Sequence, residues 1–221
     1  MQINSEYSAQ RRSHPPNPAL IRSIHYLKEH LNQNVQITRI ADLGCGKLRH
    51  LKLLLPYADN LFLVDTQLQL NSQHVDGSDL YTIEEVARAS SKNGKSVHAL
   101  SIDKMENMQL KLDLIFCVAV FDVVTQKVRD KLLQIASKNL KENGYLVLII
   151  PRNDSSILKR CTEEKRYQDG YIFTRYKIRT FFHNFKSYKK VIHHCLQKGL
   201  HLAVDLSLYR QVCLIFKKTY K

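Results

Sequence analysis

The chain has 221 residues, a length that suits one domain with a full core or one domain with a substantial insertion. Its hydrophobic fraction of 44% and charged fraction of 24% are ordinary for a folded globular protein, and no apolar run is long enough to cross a membrane. The net charge of +14 favours polyanionic partners, although basic proteins also use charge for solubility alone. Because no apolar run is long enough to cross a membrane, a membrane partner is not expected.

Cysteine usage and the amino-terminal residues indicate a cytoplasmic protein. The five cysteines are widely spaced, odd in number and include no C-x-x-C pair, so reduced thiols are expected. The first 18 residues lack the apolar core of a secretory signal. No metal site is expected, because the histidines and cysteines near the carboxyl end lack the short paired spacing of zinc ligands. Those residues are Cys161, His183, His193, His194 and Cys195.

A helix is predicted early in the chain. Asn17 is a good N-cap, Pro18 fits the first helical turn, and apolar residues recur at helical spacing from Leu20 to Leu31. Such an apolar face is expected to pack on the edge of a sheet.

The stretch from Ile37 to Leu55 predicts a strand, a glycine turn and a helix. An apolar run typical of a central parallel strand leads into Asp42, Gly44 and Gly46. The glycines allow a tight turn and close approach of a ligand to the backbone, as in nucleotide-binding sites. Dinucleotide oxidoreductases have a third glycine three residues after the second, and here that position is Arg49. An NAD site is therefore less well supported.

The rest of the chain alternates strands and helices, which predicts an open parallel sheet with helices on both faces. The side chains of Val128 and Leu132 are expected on the buried side of the helix over 125–140, which Asn143-Gly144 is expected to end. Because ligands bind beyond the carboxyl ends of parallel strands, the acids at these ends should converge on one crevice. The predicted strands are 61–65, 96–102, 112–120 and 145–150, with a final hairpin over 200–208 and 211–217. The other predicted helix is 79–91. The positions expected to converge on the crevice are Asp42, Asp65, Asp103 and Phe121-Asp122.

The run Asp42-Leu43-Gly44-Cys45-Gly46 resembles the first motif of class I S-adenosylmethionine-dependent methyltransferases, and the strand LFLVD at 61–65 ends in an acid as their second motif does. The resemblance covers about 35–150 and 200–217. It implies an α/β, Rossmann-like, doubly wound seven-stranded sheet with an antiparallel C-terminal hairpin, and S-adenosyl-L-methionine as cofactor. Many members carry a third glycine where this chain has Leu48.

The resemblance also assigns roles to residues of the predicted crevice. The glycines would line the methionine half of the cofactor, and Asp42 would hold its amino group or the loop. Asp65 would accept hydrogen bonds from both ribose hydroxyls, as a carboxylate at a strand end can. Asp103 would contact the adenine amino group. The complete predicted cofactor-binding set is Asp42, Gly44, Cys45, Gly46, Asp65, Thr66, Asp103 and Val118.

Asp122 is the candidate catalytic base, because it follows a predicted central strand and methylation of an amine or phenol requires loss of a proton. Alternatively, Asp122 caps the next helix. Enzymes that methylate exocyclic amines of adenine or cytosine resemble one another in an Asn/Asp-Pro-Pro-aromatic turn, and this region lacks it. It also lacks a Pro-Cys pair for attack on a pyrimidine ring, because Cys117 lies inside a predicted strand. These two standard kinds of base methylation are disfavoured.

Residues 152–199, here called the cap, form a basic and aromatic insertion between the core and the final hairpin. The cap contains twelve Lys or Arg residues against four acids, and eight aromatic residues are interleaved with them. Such aromatic residues stack on unpaired bases while cations bind phosphates; alternatively they pack a small cap with solvated cations. The predicted substrate-binding residues are His14, Phe121, Arg152, Tyr171, Arg175 and Tyr176. His14 is included because the resemblance implies that the amino-terminal segment covers the cofactor or substrate.

The sequence thus predicts one methyltransferase domain made of a helical extension over 1–34, a cofactor-binding core over 35–151, the cap, and a closing hairpin over 200–221. RNA or another phosphate-rich acceptor is favoured by the cap. A small molecule or peptide acceptor, or a non-catalytic nucleic-acid-binding protein on the same scaffold, remains open.

Overall fold

The computed structural model describes residues 9–30, 37–151, 159, 161–175, 178–185, 187–208 and 211–219, with only the backbone at 175 and 178. Its centre is a seven-stranded sheet. The strands of this sheet are β1 (Arg39–Leu43), β2 (Asn60–Asp65), β5 (Ser96–Ser101), β6 (Leu112–Val118), β7 (Leu140–Pro151), β11 (Leu200–Asp205) and β12 (Gln211–Lys218).

The strand order is β11-β12-β7-β6-β1-β2-β5. The five strands from β5 to β7 in this order pair parallel, and β12 pairs antiparallel with both β7 and β11. After β1 the chain builds outward through β2 and β5, and it then returns to the other side of β1 with β6. Ligands in such sheets bind at this reversal, beyond the carboxyl ends of the strands. The predicted seven-stranded sheet with its antiparallel hairpin is confirmed.

Helices cover both faces of the sheet, and each face has its own apolar core. On one face α1 (Pro18–His30) packs with its apolar side over β12 and β7, two strands inside the sheet rather than the edge that was predicted. Helices α6 (Gln126–Asn139) and α7 (Lys189–Gln197) lie on the other face. No helix in the described ranges has the length and apolarity that crossing a membrane requires. The helices are α1 (Pro18–His30), α2 (Leu51–Leu54), α3 (Gln67–Asn71), α4 (Ile83–Ser90), α5 (Ile102–Glu106), α6 (Gln126–Asn139) and α7 (Lys189–Gln197).

The predicted helix over 79–91 is wrong at its start. The chain first forms a two-stranded hairpin of β3 (His74–Asp76) and β4 (Asp79–Tyr81), which turns at Gly77 with a φ of +66°. Helix α4 begins only after Thr82, because the Thr82 side chain accepts from the Glu85 amide and the Glu85 carboxylate accepts from the Thr82 amide. This capping box fixes the boundary between hairpin and helix.

The end of α6 also differs from the prediction. The helix ends at Asn139, whose side-chain amide donates to the carbonyls of Ile135 and Met105, and Leu140 already begins β7. Asn143 has a φ of +61° but lies within β7, where the pairing with β6 shifts register. The Asn-Gly pair therefore marks an irregularity in a strand. The predicted strands at 112–120 and 200–208 are shorter in the structure and end at Val118 and Asp205.

Leu48 occupies a left-handed conformation that glycine adopts readily. Its φ is +64° and its side chain is only 1% exposed, in the core beside α1 and β1. A leucine in this region costs about 1–2 kcal/mol of backbone strain. Burial of its side chain offsets that cost, because truncation of a buried leucine typically costs about 2–5 kcal/mol.

Leu48→Gly is therefore expected to destabilise the protein by roughly 1–3 kcal/mol, since the cavity outweighs the relief of strain. Urea denaturation measures the change. Asn143→Gly is the matched control, because Asn143 has a similar φ of +61° but an exposed side chain, and it should stabilise slightly. A more stable Leu48→Gly protein would contradict the burial argument.

The described part of the cap contains a second sheet and α7. The strands β8 (Arg166–Tyr167), β9 (Gly170–Arg175) and β10 (Ile178–Phe182) form an antiparallel sheet in the order β10-β9-β8. A Cβ on Gly170 would collide with the ring of Phe181, which is 1% exposed, so this turn needs glycine. The cap therefore has a packed side. Its exposed cations are Lys159, Lys165, Arg166, Arg179, Lys189 and Lys190.

Candidate active site

The glycine turn joins β1 to the helical turn that leads into α2. The amides of Gly44 and Cys45 both donate to the carbonyl of Val64, at 2.8 and 3.1 Å, which binds the turn to the end of β2. Gly44 has a φ of +80° and Gly46 a φ of +54°. A Cβ on Gly44 would collide with the side chain of Val120, so this side chain, in the loop after β6, packs directly on the Gly44 backbone.

Asp65 lies at the end of β2 with its carboxylate fixed by two backbone amides. One oxygen accepts from the Gly46 amide and the other from the Thr66 amide, each at 2.8 Å. The Thr66 hydroxyl in turn accepts from the Gln69 amide and caps α3. The predicted ribose-binding acid is thus held in a fixed orientation beside the glycine turn.

Asp42 is the most deeply buried acid beside the glycine turn. It is 1% exposed, and neither carboxylate oxygen has a hydrogen-bond partner in the described part of the chain. Burial, and then the charge of Asp65, raises the pKa of Asp42 to about 7. His50 Nδ1 lies 3.9 Å from Asp42 Oδ2, but burial and then the charge of Arg49 lower the His50 pKa to about 4. His50 is therefore neutral near pH 7 and does not compensate the carboxylate.

Asp122 is the second buried acid with an unpartnered oxygen. It follows β6, is 8% exposed, and its Oδ1 has no partner among the described residues. Burial raises the pKa of Asp122 to about 6, against the opposing effect of its own backbone and Arg129. The alternative in which Asp122 caps the next helix is wrong, because the N-cap of α6 is Thr125.

These carboxylates belong to one electrostatic neighbourhood. The pKa of the buried Cys117 thiol is raised well above its usual value, first by burial and then by the charges of Asp42 and Asp122, with smaller contributions from Cys195 and Asp65. Acids therefore cluster at the position of the predicted crevice, the carboxyl ends of β1, β2 and β6, in a strongly basic chain. Burial also raises the pKa of Cys45, so neither buried thiol is a nucleophile near neutral pH.

The amino-terminal segment lies over the glycine turn. A Cβ on Gly46 would stand 3.0 Å from the Cβ of Ala9. Further along, Ser13 Oγ donates to Asp76 at 2.5 Å, and Arg49 Nε donates to the Pro15 carbonyl at 2.7 Å. The predicted substrate residue His14 is exposed on this segment.

Other predicted residues lie farther from the crevice or outside the described chain. Asp103 belongs to α5, and its side chain is 83% exposed and 3.0 Å from Lys131 Nζ. Val118 is the buried last residue of β6, and Phe121 is 2% exposed, so its ring packs in the core and is not presented to a substrate. Tyr171 is half-buried in β9, opposite Arg166 and Phe182. Arg152, Tyr176 and the Arg175 side chain lie outside the described residues.

Sequence reasoning missed a polar cluster behind Asp122. Arg129 on α6 and His183 after β10 both contact Asp169, which lies in the turn between β8 and β9. The helical pattern places Val128 on the buried side, yet Val128 is 39% exposed and Arg129 only 6%. An Asp-Gly pair between two short strands was the one available signal, and it indicated a turn without indicating what the aspartate would contact.

Proteins of known structure share this architecture. No family model matches the sequence. The uncharacterized protein YmfD of Escherichia coli K12 is 27% identical over 158 residues, covering 71% of this chain and 70% of that protein. A methyltransferase structure from Methanosarcina mazei superposes with a TM-score of 0.64 at 13% identity, covering 94% of this chain and all of its own.

Two further solved structures have the same fold. A methyltransferase from Clostridium acetobutylicum gives a TM-score of 0.62 at 14% identity, covering 90% of this chain and 89% of its own. A Burkholderia thailandensis N-methyltransferase with bound 1,6-didemethyltoxoflavin and S-adenosylhomocysteine gives 0.58 at 10%, covering 92% and 79%. The strand order, the antiparallel last strand and these superpositions agree: the chain has the fold of the class I S-adenosylmethionine-dependent methyltransferases.

Proposed function

We propose that this chain is an S-adenosylmethionine-dependent methyltransferase. The observation that carries the proposal is the cluster of acids at the sheet reversal, where Asp42 and Asp122 have buried oxygens without partners among the described residues, beside the fixed carboxylate of Asp65. An uncompensated buried carboxylate is costly, so it points to a missing donor or cation. A cofactor with an ammonium group, a sulfonium and two ribose hydroxyls supplies such groups. The residues present therefore fit this cofactor.

Each acid has a distinct task in this proposal. Asp65 binds the ribose hydroxyls, while Asp42 faces the positively charged half of the cofactor. Asp122 accepts the proton that an N–H or O–H acceptor loses as it is methylated, and its pKa of about 6 makes it a base near neutral pH. When bound, the cofactor supplies a methyl group activated by its sulfonium. The protein contributes mainly alignment and exclusion of water.

We further propose a phosphate-rich acceptor, with RNA as the leading candidate. The crevice itself is acidic and repels phosphates, so a polyanion must be bound elsewhere on the protein. The exposed cations of the cap supply that surface; Lys189 and Lys190, for example, are both exposed at the start of α7. An acceptor of this kind, together with the reduced cysteines, is consistent with a cytoplasmic protein.

Calorimetric titration with S-adenosylmethionine and with S-adenosylhomocysteine tests the cofactor assignment. Micromolar binding of both is expected. Binding followed by methyl transfer from labelled cofactor to RNA would support the full proposal, and transfer only to extract metabolites would favour a small-molecule acceptor. Absence of cofactor binding by protein shown to be folded would favour a non-catalytic protein on this scaffold.

Polyanion binding has a separate test in salt dependence. Affinity for single-stranded RNA should fall steeply with salt, and the double variant Lys189→Gln with Lys190→Gln should reduce the slope of log K against log salt by about 1.4, or 0.7 for each lost phosphate contact. The matched control is Arg88→Gln with Lys92→Gln, which removes two exposed charges near the amino end of β5. If the two double variants reduce the slope equally, RNA binding depends on the overall positive charge of the protein and not on the cap.

A further inference from the structure

The loop that carries Asp122 is held in place by one side chain and one backbone amide from outside it. Arg129 Nη1 donates to the carbonyls of Phe121 and Val124, at 3.1 and 2.5 Å. The backbone amide of His183 donates to the Asp122 carbonyl at 2.7 Å. Three hydrogen bonds therefore fix the main chain on both sides of Asp122, and one of them comes from the cap.

Asp169 joins the groups that hold this loop. One of its carboxylate oxygens forms an ion pair with Arg129 Nη2 and lies 3.2 Å from His183 Nδ1. His183 Nδ1 also contacts the Asp169 carbonyl, and because both partners are acceptors, the neutral ring carries its proton on Nδ1. The Arg129 and His183 side chains are 8% and 19% exposed, so this ion pair is shielded from water.

The second oxygen of Asp169 extends the network to α6. It accepts from the Gln126 amide at 3.2 Å, at the first residue of the helix. The N-cap Thr125 makes no side-chain capping bond, so a carboxylate from the cap performs that task. Asp169 thus accepts from the first amide of α6 and forms an ion pair with Arg129, which holds the loop. Its carboxylate and its backbone carbonyl also contact the ring of His183, whose amide bonds to Asp122.

We propose that Asp169 is a positioning residue that couples docking of the β8–β10 sheet of the cap to the conformation of the Asp122 loop. With the cap docked, the loop is ordered and Asp122 is shielded. When the β8–β10 sheet moves away while α7 stays packed, the loop loses the His183 amide, and Arg129 loses its counter-charge. The part of the protein that we assign to the acceptor thereby controls the environment of the base. The inference depends on the proposed function only where it treats Asp122 as the base.

The test uses Asp169→Asn, which keeps the side-chain shape and removes the charge. Amide hydrogen exchange of His183 and of the strands β9 and β10 is expected to accelerate by about tenfold or more, while β1 and β2 stay unchanged. The pKa of Asp122, followed by carbon NMR and assigned with Asp122→Asn, should fall towards an ordinary aspartate value as water reaches it. Purely structural damage far from the loop would not produce this fall.

Glu163→Gln is the matched control, because it removes an ion pair with Arg166 that is exposed in the same cap. It should change neither measurement. If exchange and the Asp122 pKa in Asp169→Asn equal those of the wild type, the proposal is overturned.

A second measurement needs no variant to fold. In the wild-type chain, native-state exchange should give the amides of His183 and Gln126 one common opening free energy and denaturant slope, since both depend on the docked cap. Separate openings would overturn the coupling. The affinity of Asp169→Asn for S-adenosylhomocysteine is expected to be within about twofold of the wild-type affinity. This titration distinguishes failure of the coupling proposal from failure of the proposed function, because absence of cofactor binding in the wild type would remove only the methyltransferase assignment.

Discussion

Asp65→Asn should lower the affinity for S-adenosylhomocysteine by at least about 100-fold while leaving the fold intact. The carboxylate is already held by the amides of Gly46 and Thr66, so it is positioned before a ligand arrives. Hydrogen bonds from ligand hydroxyls to a charged acceptor are worth about 1.5–3 kcal/mol each, and two are expected. Asparagine keeps one acceptor for the turn but loses the charge and half of the acceptor capacity.

Calorimetry on the variant and on Asp79→Asn makes the comparison direct. Asp79 is an exposed carboxylate in β4, and its replacement should leave the affinity unchanged. Circular dichroism and thermal unfolding confirm that both variants fold. An unchanged affinity in folded Asp65→Asn would remove Asp65 as the ribose-binding acid.

Asp42→Asn is expected to stabilise the ligand-free protein by roughly 4 kcal/mol at most, above pH 7. The folded-state pKa of about 7 lies above the ordinary value of 3.8, so the folded state retains a proton that the unfolded state has released. The contribution of Asp42 to wild-type stability therefore falls as the pH rises from about 4 to 7 and is level above that. The amide avoids this cost, so the pH dependence that is due to residue 42 should disappear.

Denaturant titrations from pH 4 to 8 measure this effect, with Asp113→Asn as a control of opposite sign. Burial alone would raise the pKa of Asp113, but its bonds to Lys141, Arg39 and Thr38 together hold it below the ordinary value. That carboxylate stabilises the fold at neutral pH, and the Asn variant should be less stable. A destabilised Asp42→Asn protein would show that Asp42 has a structural partner.

The same Asp42→Asn variant should bind the cofactor more weakly, because it no longer offers a negative charge to the cationic half. Stability and binding are thus expected to change in opposite directions at one residue. Such opposition is typical of functional sites, where a ligand rather than the fold satisfies a buried group.

The parts of the fold that follow local rules could be predicted from the sequence. The run into Asp42, the two glycines and the acid at Asp65 depend on strand period and on turn chemistry, and the structure places them at one crevice. The hairpin before α4 was missed because Glu84 and Glu85 extend a helical signal backward. The capping box at Thr82 separates the hairpin from α4, but it is a short pattern that is easily taken for the interior of a helix.

The Asp169 network could not be predicted, because its members are brought together only by the folded cap. Gln126 and Asp169 are 43 residues apart in sequence, and the Asp169-Gly170 pair indicates a turn but not what the aspartate contacts. Arg129 on a helix reads as a solvated cation unless a carboxylate is known to face it. The charge of the cap suggested a partner outside the molecule, whereas part of that charge is used inside it.

The position of β12 inside the sheet has a consequence for biosynthesis. This strand is made after the other six of the sheet, yet it lies between β7 and β11 and pairs with β7 from Gln211 to Lys217. Until it has left the ribosome, β7 exposes an apolar edge that is prone to pair with other chains. Folding of the crevice and completion of the sheet are therefore separated in time. A nascent chain stalled before residue 211 would present its nearly finished core to chaperones rather than to ligands.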